Sequence, residues 1–230
     1  MKIINKKPGN FGILSSGQKK ALAIFFSLEE SEFFCLTGGT ALAEFYLGHR
    51  ESFDLDFFSS REDLIVSFSR KLEKALSKSY KISVPRRFNS FVEIEAESPK
   101  EKVKVQLALE SPFRLSEPKR VGNILINDYL DLIVDKALAF FGRTEPRDTV
   151  DLFFILNEDK VDFWQLVKYC QKKDPGFDLY WMAVALEKTQ ELPDQIGRWP
   201  VEMIKPVDAK ALKEMFKKLA DDIFEKINKK

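Results

Sequence analysis

The chain has one histidine, two cysteines and almost no net charge, and each scarcity narrows what it can be. A zinc site needs several histidine or cysteine ligands at close spacing. His49 stands alone, while Cys35 and Cys170 lie far apart with no metal-like spacing, so they are expected to be two buried thiols of an intracellular protein. Thirty-seven Lys and Arg against 36 Asp and Glu leave a net charge of +1. Overall charge therefore cannot hold a nucleic acid, and any polyanion must be met by a local patch. No run approaches the ~18 apolar residues of a membrane span, so no membrane partner is expected. The start, Met1-Lys2-Ile3-Ile4-Asn5-Lys6-Lys7-Pro8, lacks the apolar segment of a secretory signal, and a cytoplasmic location is expected.

Core material is abundant, with 21 phenylalanines in 230 residues. That length suits one ordinary domain or two small ones. The charges segregate along the chain. Arg61 to Ser90 carries eight bases against three acids, and Asp128 to Phe163 nine acids against four bases. Two solvated faces of opposite sign explain this, and so does a basic surface for a nucleic-acid acceptor.

One stretch organises the rest. Leu36-Thr37-Gly38-Gly39-Thr40-Ala41-Leu42 reads as an apolar strand, a double-glycine turn and the start of a short helix. The glycines let a phosphate approach the backbone, and Thr40 falls where helix N–H groups face an anion. Phe53-Asp54-Leu55-Asp56-Phe57-Phe58 reads as a second strand. Alternate side chains of a strand share a face, which puts Asp54 and Asp56 on one side and Phe53, Leu55 and Phe57 on the other. Two carboxylates ~6.6 Å apart along a strand suit a hard, oxygen-preferring cation such as Mg²⁺. Arg50 and Ser52, just before them, are candidates for triphosphate contacts, since an arginine fork matches phosphate oxygens. His49 is expected to order this loop or to meet a phosphate. The Gly-Gly-Thr turn has no Walker lysine.

Gly-Gly-Thr, thirteen residues and then Asp-x-Asp resembles the signature of the DNA polymerase β-like nucleotidyltransferases. The fuller wording, Leu36-Thr37-Gly38-Gly39-Thr40-Ala41-Leu42-Ala43 and Leu47-Gly48-His49-Arg50 through Ser52, Asp54-Leu55-Asp56-Phe57-Phe58, is similar to the AbiEii/AbiGii-type toxin branch. The resemblance implies Mg²⁺- or Mn²⁺-dependent transfer of a nucleotide from a nucleoside triphosphate to an acceptor, often RNA. It also implies a toxin with an antitoxin partner. Asp54 and Asp56 would bind the metal, and Gly38, Gly39, Thr40, Arg50 and Ser52 the nucleotide. Relatives usually add a third carboxylate from a neighbouring strand; the matching position here is Gln106. Glu93, Glu95 or Glu110 could substitute for it. Gln106 also keeps open a protein that retained the fold and binds a nucleotide or partner without chemistry, and near-neutral charge keeps open transfer to a protein acceptor.

Taken in order, Ser15 or Ser16 caps a helix running to about Glu30 after a leader of residues 1–15. Phe33 to Thr37 is a strand, Thr40 to Leu47 a helix ended by Gly48, and Glu62 to Leu76 a helix with Leu64, Ile65, Phe68, Leu72 and Leu76 inward. Tyr80–Val84, Phe91–Glu95 and Lys102–Leu109 read as strands, the last alternating cleanly. From about residue 127 the pattern is helical. Asn127 or Asp128 caps a helix to Phe141 ended by Gly142, and Pro146 opens the next. Further helices cover 163–171, 178–188 and 208–227. The fold class expected is α+β: a mixed-sheet nucleotidyltransferase core over residues 1–120, followed by a helical domain over 121–230.

The first of those helices carries a second constellation. Ile133, Val134, Ala137, Leu138 and Phe141 form its buried arc, with Lys136 and Arg143 along one edge. A lysine there lays its stem on apolar surface and delivers its ammonium to a fixed place. Asp135-Lys136-Ala137-Leu138-Ala139 with Gly142-Arg143 and Arg147-Asp148-x-x-Asp151-Leu152 is similar to downstream motifs of the toxin family. That likeness implies catalytic roles for Lys136 and Asp148 and nucleotide contacts for Lys136 and Arg143. Asp148 also fits the preference for acids in a helix's first turn, and Arg147 and Asp151 an i,i+4 pair. Lysines 210, 213, 217, 218, 226, 229 and 230 on the last helix make either a solvated face or a hold on RNA.

Overall fold

The computed structural model describes residues 5–110 and 113–229; the first four residues of the leader and Lys230 lie outside the described residues. The chain divides into two compact units, Lys6–Leu132 and the residues from Ile133 onward.

The first unit is built on a seven-stranded mixed sheet. Its strands are β1 (Cys35–Thr37), β2 (Asp54–Ser59), β3 (Lys81–Phe88), β4 (Phe91–Glu97), β5 (Lys102–Leu109), β6 (Lys119–Val121) and β7 (Ile124–Ile126). They lie in the order β3-β4-β5-β2-β1-β7-β6. β2 runs parallel to β5 and β1 parallel to β7, while the other neighbours are antiparallel. Two helices, α1 (Ser16–Phe25) and α3 (Glu62–Leu76), cover one face. The core between them is aromatic: Phe25 stacks on Phe57 of β2 at 3.7 Å between ring centroids, and Phe34 on Phe68 at 4.5 Å. The hairpin β6–β7 has no signal in the sequence, because three residues per strand are too few to show an alternation.

Ser15 and Gln18 cap α1 reciprocally. That helix stops at Phe25 instead of reaching Glu30, since the Ser27 hydroxyl donates to the Ile24 carbonyl (2.7 Å) and draws it from the helical ladder. A 3₁₀ turn, Glu29–Phe33, follows, so the first strand begins at Cys35 rather than Phe33. Phe53 precedes β2 and is 59% exposed, not buried beside Leu55 and Phe57 as expected. Residues 9–14 are tied down by Glu44, whose buried carboxylate accepts from the backbone of Gly12, Ile13 and Leu14 at 2.6–3.1 Å.

The second unit is helical: the rest of α4 (Tyr129–Arg143), then α5 (Pro146–Asn157), α6 (Phe163–Lys173), α7 (Leu179–Lys188) and α8 (Ala209–Asn228). Asp128 caps α4, its Oδ1 accepting from Leu130 N at 3.0 Å. α4 continues past Gly142 to Arg143, and the left-handed residue that ends it is Thr144, φ 49°. Within α4 it is Phe140, in edge contact with Phe216, that is fully buried, while Phe141 is only half-buried. Asp162, Asp178 and Asp208 cap α6, α7 and α8. α8 buries Leu212, Phe216, Ala220 and Ile223 along one stripe. No helix among the described residues is long and apolar enough to cross a membrane. Both cysteines are free and buried, which raises both thiol pKa values, that of Cys170 to about 12.

Candidate active site

β1 ends at Thr37 and the chain turns at once into α2 (Gly38–Leu42), which passes into a π-helical turn, Ala43–Leu47, closed by Gly48 at φ 62°. The abrupt turn requires φ +71° at Gly38, a region that L side chains avoid. A Cβ there would also collide with the Asp56 carboxylate. At Gly39 a Cβ would stand 2.6 Å from the Arg50 guanidinium and 2.9 Å from the Ser52 hydroxyl. The double glycine thus lets an acid, a guanidinium and a hydroxyl close onto bare backbone.

β2 presents the acids. Leu55 and Phe57 are fully buried toward the helices, while Asp54 and Asp56 are half-buried on the opposite face. Asp56 lies in register with Thr37 on one side and Gln106 on the other, and Asp54 with Lys104. The Lys104 ammonium lies 3.1 Å from Asp54 Oδ1.

The loop between α2 and β2 is held from within. Thr40 is buried; its Oγ1 lies 2.9 Å from Ser52 Oγ and donates to the Asp54 carbonyl. Thr40 thereby fixes the strand that bears the acids and does not itself face outward. Gln18 of α1 donates to the Ser52 carbonyl at 2.7 Å. Arg50 is buried apart from a few per cent of its surface and donates to the Glu51 carbonyl at 2.8 Å. His49 is fully buried among these elements.

Gln106 sits between Asp56 and Glu93 in the sheet. Its amide nitrogen donates to Glu93 Oε2 at 2.6 Å, and Arg86 contacts the same oxygen at 2.6 Å. The Arg86 bond, aided by the Gln106 bond, holds the Glu93 carboxyl below the usual carboxylate range. Glu95 is paired with Lys102 (2.9 Å) and Glu110 with Arg114. Among the described residues no three acids, histidines or cysteines are gathered so that they could hold one metal ion. Asp54 and Asp56 share this face and could hold an ion; such a pair fits Mg²⁺ or Mn²⁺, because such ions take one or two carboxylates and complete their shell with water and substrate phosphates.

In the second unit Lys136 is buried with its ammonium 3.3 Å from Asp148 Oδ1 and 2.8 Å from Asp151 Oδ2. Arg143 clamps Asp148 through Nε at 2.6 Å and a terminal nitrogen at 3.1 Å. Both carboxylates are wholly buried. Beside Arg143 opens a cavity of about 620 Å³ whose lining includes Trp181, Lys188 and Leu192.

Two contributors escape a reading of the sequence alone. Lys104 has a signal, the outward alternation Lys102, Lys104, Gln106, but only the parallel pairing of β5 with β2 sets it against Asp54. Gln18 has a capping role in the sequence pattern, which hides its second bond to Ser52.

The family model for the AbiEii toxin nucleotidyltransferases of type IV toxin–antitoxin systems matches residues 20–229. The chain belongs to that family. As an AbiEii-family protein it is a nucleotidyltransferase, of a kind that uses a nucleoside triphosphate with a divalent metal and is opposed by an antitoxin. An uncharacterised protein of Aquifex aeolicus (strain VF5) is 29% identical over 185 residues, covering 80% of this chain and 86% of that protein. Among solved structures, the nucleotidyltransferase toxin MenT4 of Mycobacterium tuberculosis H37Rv matches with a TM-score of 0.60 at 16% identity, over 90% of this chain and 82% of that one. JHP933 of Helicobacter pylori matches with a TM-score of 0.56 at 20% identity, over 94% and 95%. At such identities these two structures show a shared fold.

Proposed function

We propose that this AbiEii-family protein uses Mg²⁺ or Mn²⁺ to transfer a nucleotidyl group from a nucleoside triphosphate to RNA, acting as a toxin in the bacterial cytoplasm. The observation that carries this reading is the convergence of Asp54 and Asp56 with the Gly38-Gly39 backbone, Arg50 and Ser52. Asp54 and Asp56 hold the cation, which when bound offsets charge on the reacting phosphate. Gly39, Arg50 and Ser52 receive the triphosphate. An acceptor hydroxyl gives up its proton to water as its oxygen bonds to the α-phosphorus and the bond to the β-phosphate breaks, and pyrophosphate leaves. Through the family likeness, catalytic roles for Lys136 and Asp148 and a nucleotide contact for Arg143 belong to the same proposal.

An RNA acceptor is favoured by Trp181, 60% exposed beside Arg143 and Lys188. An exposed indole offers a stacking face to any base, and the two cations suit a phosphate backbone. Incubation of the protein with each α-labelled triphosphate and total RNA, or total protein, tests the reading. Label is expected in RNA and lost in Asp54→Ala. Label confined to protein would instead make this a protein-modifying enzyme. Nucleotide binding without divalent ion or labelling would make it a binding protein that kept the fold, the reading Gln106 favours.

A further inference from the structure

One rung beyond the acids, the open face of the sheet changes character. Asp56 lies in register with Gln106, and Gln106 with Glu93. The next rung on that face is apolar: Phe58 pairs with Ala108, Ala108 with Phe91 and Phe91 with Phe88, across β2, β5, β4 and β3. Burial separates the two faces. Phe57, Val92 and Leu107 are wholly buried toward the helices, whereas Phe58, Phe91 and Ala108 are half-buried and Phe88 is 62% exposed.

The small side chain of Ala108 stands between two phenylalanines. Phe58 and Phe91 are two strand spacings apart, ~9.6 Å at ~4.8 Å per strand. A flat ring inserted between two others needs two stacking gaps, ~6.8 Å at ~3.4 Å each. The notch over Ala108 therefore has room for one planar base. The half-exposed Arg86 guanidinium lies 4.9 Å over the Phe91 ring while holding Glu93, so a cation stands at the same place.

The notch also lies on the side of the acids that an acceptor must use. Ser52 stands two residues before Asp54, and Gly39 and Arg50 meet it there, so the groups proposed for the triphosphate gather at the start of β2. Phe58 lies two residues beyond Asp56, ~6.6 Å along the strand at ~3.3 Å per residue. The attacking and leaving oxygens of phosphoryl transfer lie roughly in line. An acceptor thus arrives from the side opposite the departing pyrophosphate.

We propose that Phe58, Ala108 and Phe91 seat the terminal nucleobase of the acceptor, which stacks between the two rings and brings its own ribose hydroxyl beside Asp56. The proposal rests on the reading of RNA as acceptor and of Asp54 and Asp56 as the reacting centre. Every base has a π face, so the seat takes any of the four. A base held this way is unstacked from its own strand, which makes the acceptor a single-stranded RNA end.

Filling the notch tests it. Ala108→Ile puts a β-branched residue, favoured in strands, where the base would lie, and thermal melting checks that the variant folds. With α-labelled triphosphate and total RNA, its KM for RNA should rise about tenfold, while KM for triphosphate and the rate at saturating RNA stay unchanged. Phe91→Leu keeps apolar bulk, removes one ring and should do the same; it decides alone if Ala108→Ile does not fold. A single-stranded RNA competitor should be held about tenfold more tightly by the wild type with its terminal nucleotide intact than abasic, and equally by Phe91→Leu. Unchanged KM for RNA in the folded variants would overturn the seat, leave the RNA reading intact and give the apolar rung to a protein partner. A rise in KM for triphosphate instead would put the nucleotide's own base there and overturn it too. A competitor that the wild type holds equally in both forms, or not at all, would also overturn it. Label in protein alone would remove the RNA reading and the proposal together.

Discussion

The Asp56 carboxylate occupies the space that any side chain at position 38 would need, and the backbone there is held at φ +71°. Glycine at 38 and aspartate at 56 are therefore one structural choice rather than two. Gly38→Ala should lower stability by ~1–2 kcal/mol through the left-handed backbone alone. It should lower transfer far more, by roughly 100-fold, because displacing the acid misplaces the reacting groups. Urea denaturation and initial rates on the same preparation separate the two effects.

The Lys136 ammonium is shared by Asp148 and Asp151, two fully buried carboxylates. Lys136→Met removes that common cation and should cost ~3–5 kcal/mol. Adding Asp151→Leu removes one of the two buried carboxylates that Lys136 served and should return much of that stability. Transfer should stay absent in the double variant if Lys136 acts in the reaction. Recovered transfer together with recovered stability would make Lys136 structural only.

Acid should act through Glu93. The neighbouring Arg86, with the Gln106 amide, depresses its folded pKa. Ionised Glu93 therefore contributes stability that is present above the unfolded value of about 4.3 and is lost as pH falls through the folded one. The melting temperatures of wild type and Glu93→Gln should differ most at neutral pH, and the gap should begin to narrow only as pH falls below about 4.3 toward the folded value. A gap that is constant with pH would show that Glu93 is not held ionised in this way.

Trp181→Ala should leave triphosphate use unchanged and raise KM for RNA by about tenfold, the worth of one stacked base. Filter binding with single-stranded RNA, set against the KM for triphosphate, checks it. Equal loss for both substrates would place Trp181 elsewhere in the account.

Much of the fold and of the site is legible in the amino-acid order itself. The alternation Asp54, Leu55, Asp56, Phe57 tells which side chains share a face, and the run from Glu62 to Leu76 matches its helix end to end, because both periods are strong and long. Gly142 misleads, since a glycine near a helix end need not end it when Thr144 can take the left-handed turn. Lys104 and the Glu93–Gln106 bond are out of reach for a different reason: strand partners are chosen by the whole sheet, and a local pattern carries no information about which strand lies beside which.

Paired incubations with α-labelled and γ-labelled triphosphate, RNA and Mn²⁺ test the central claim most directly. Nucleotidyl transfer at Asp54 and Asp56 predicts α label in RNA, γ label only in pyrophosphate, and neither product with Asp56→Asn. Label from the γ position in the acceptor, or equal labelling by Asp56→Asn, would contradict it.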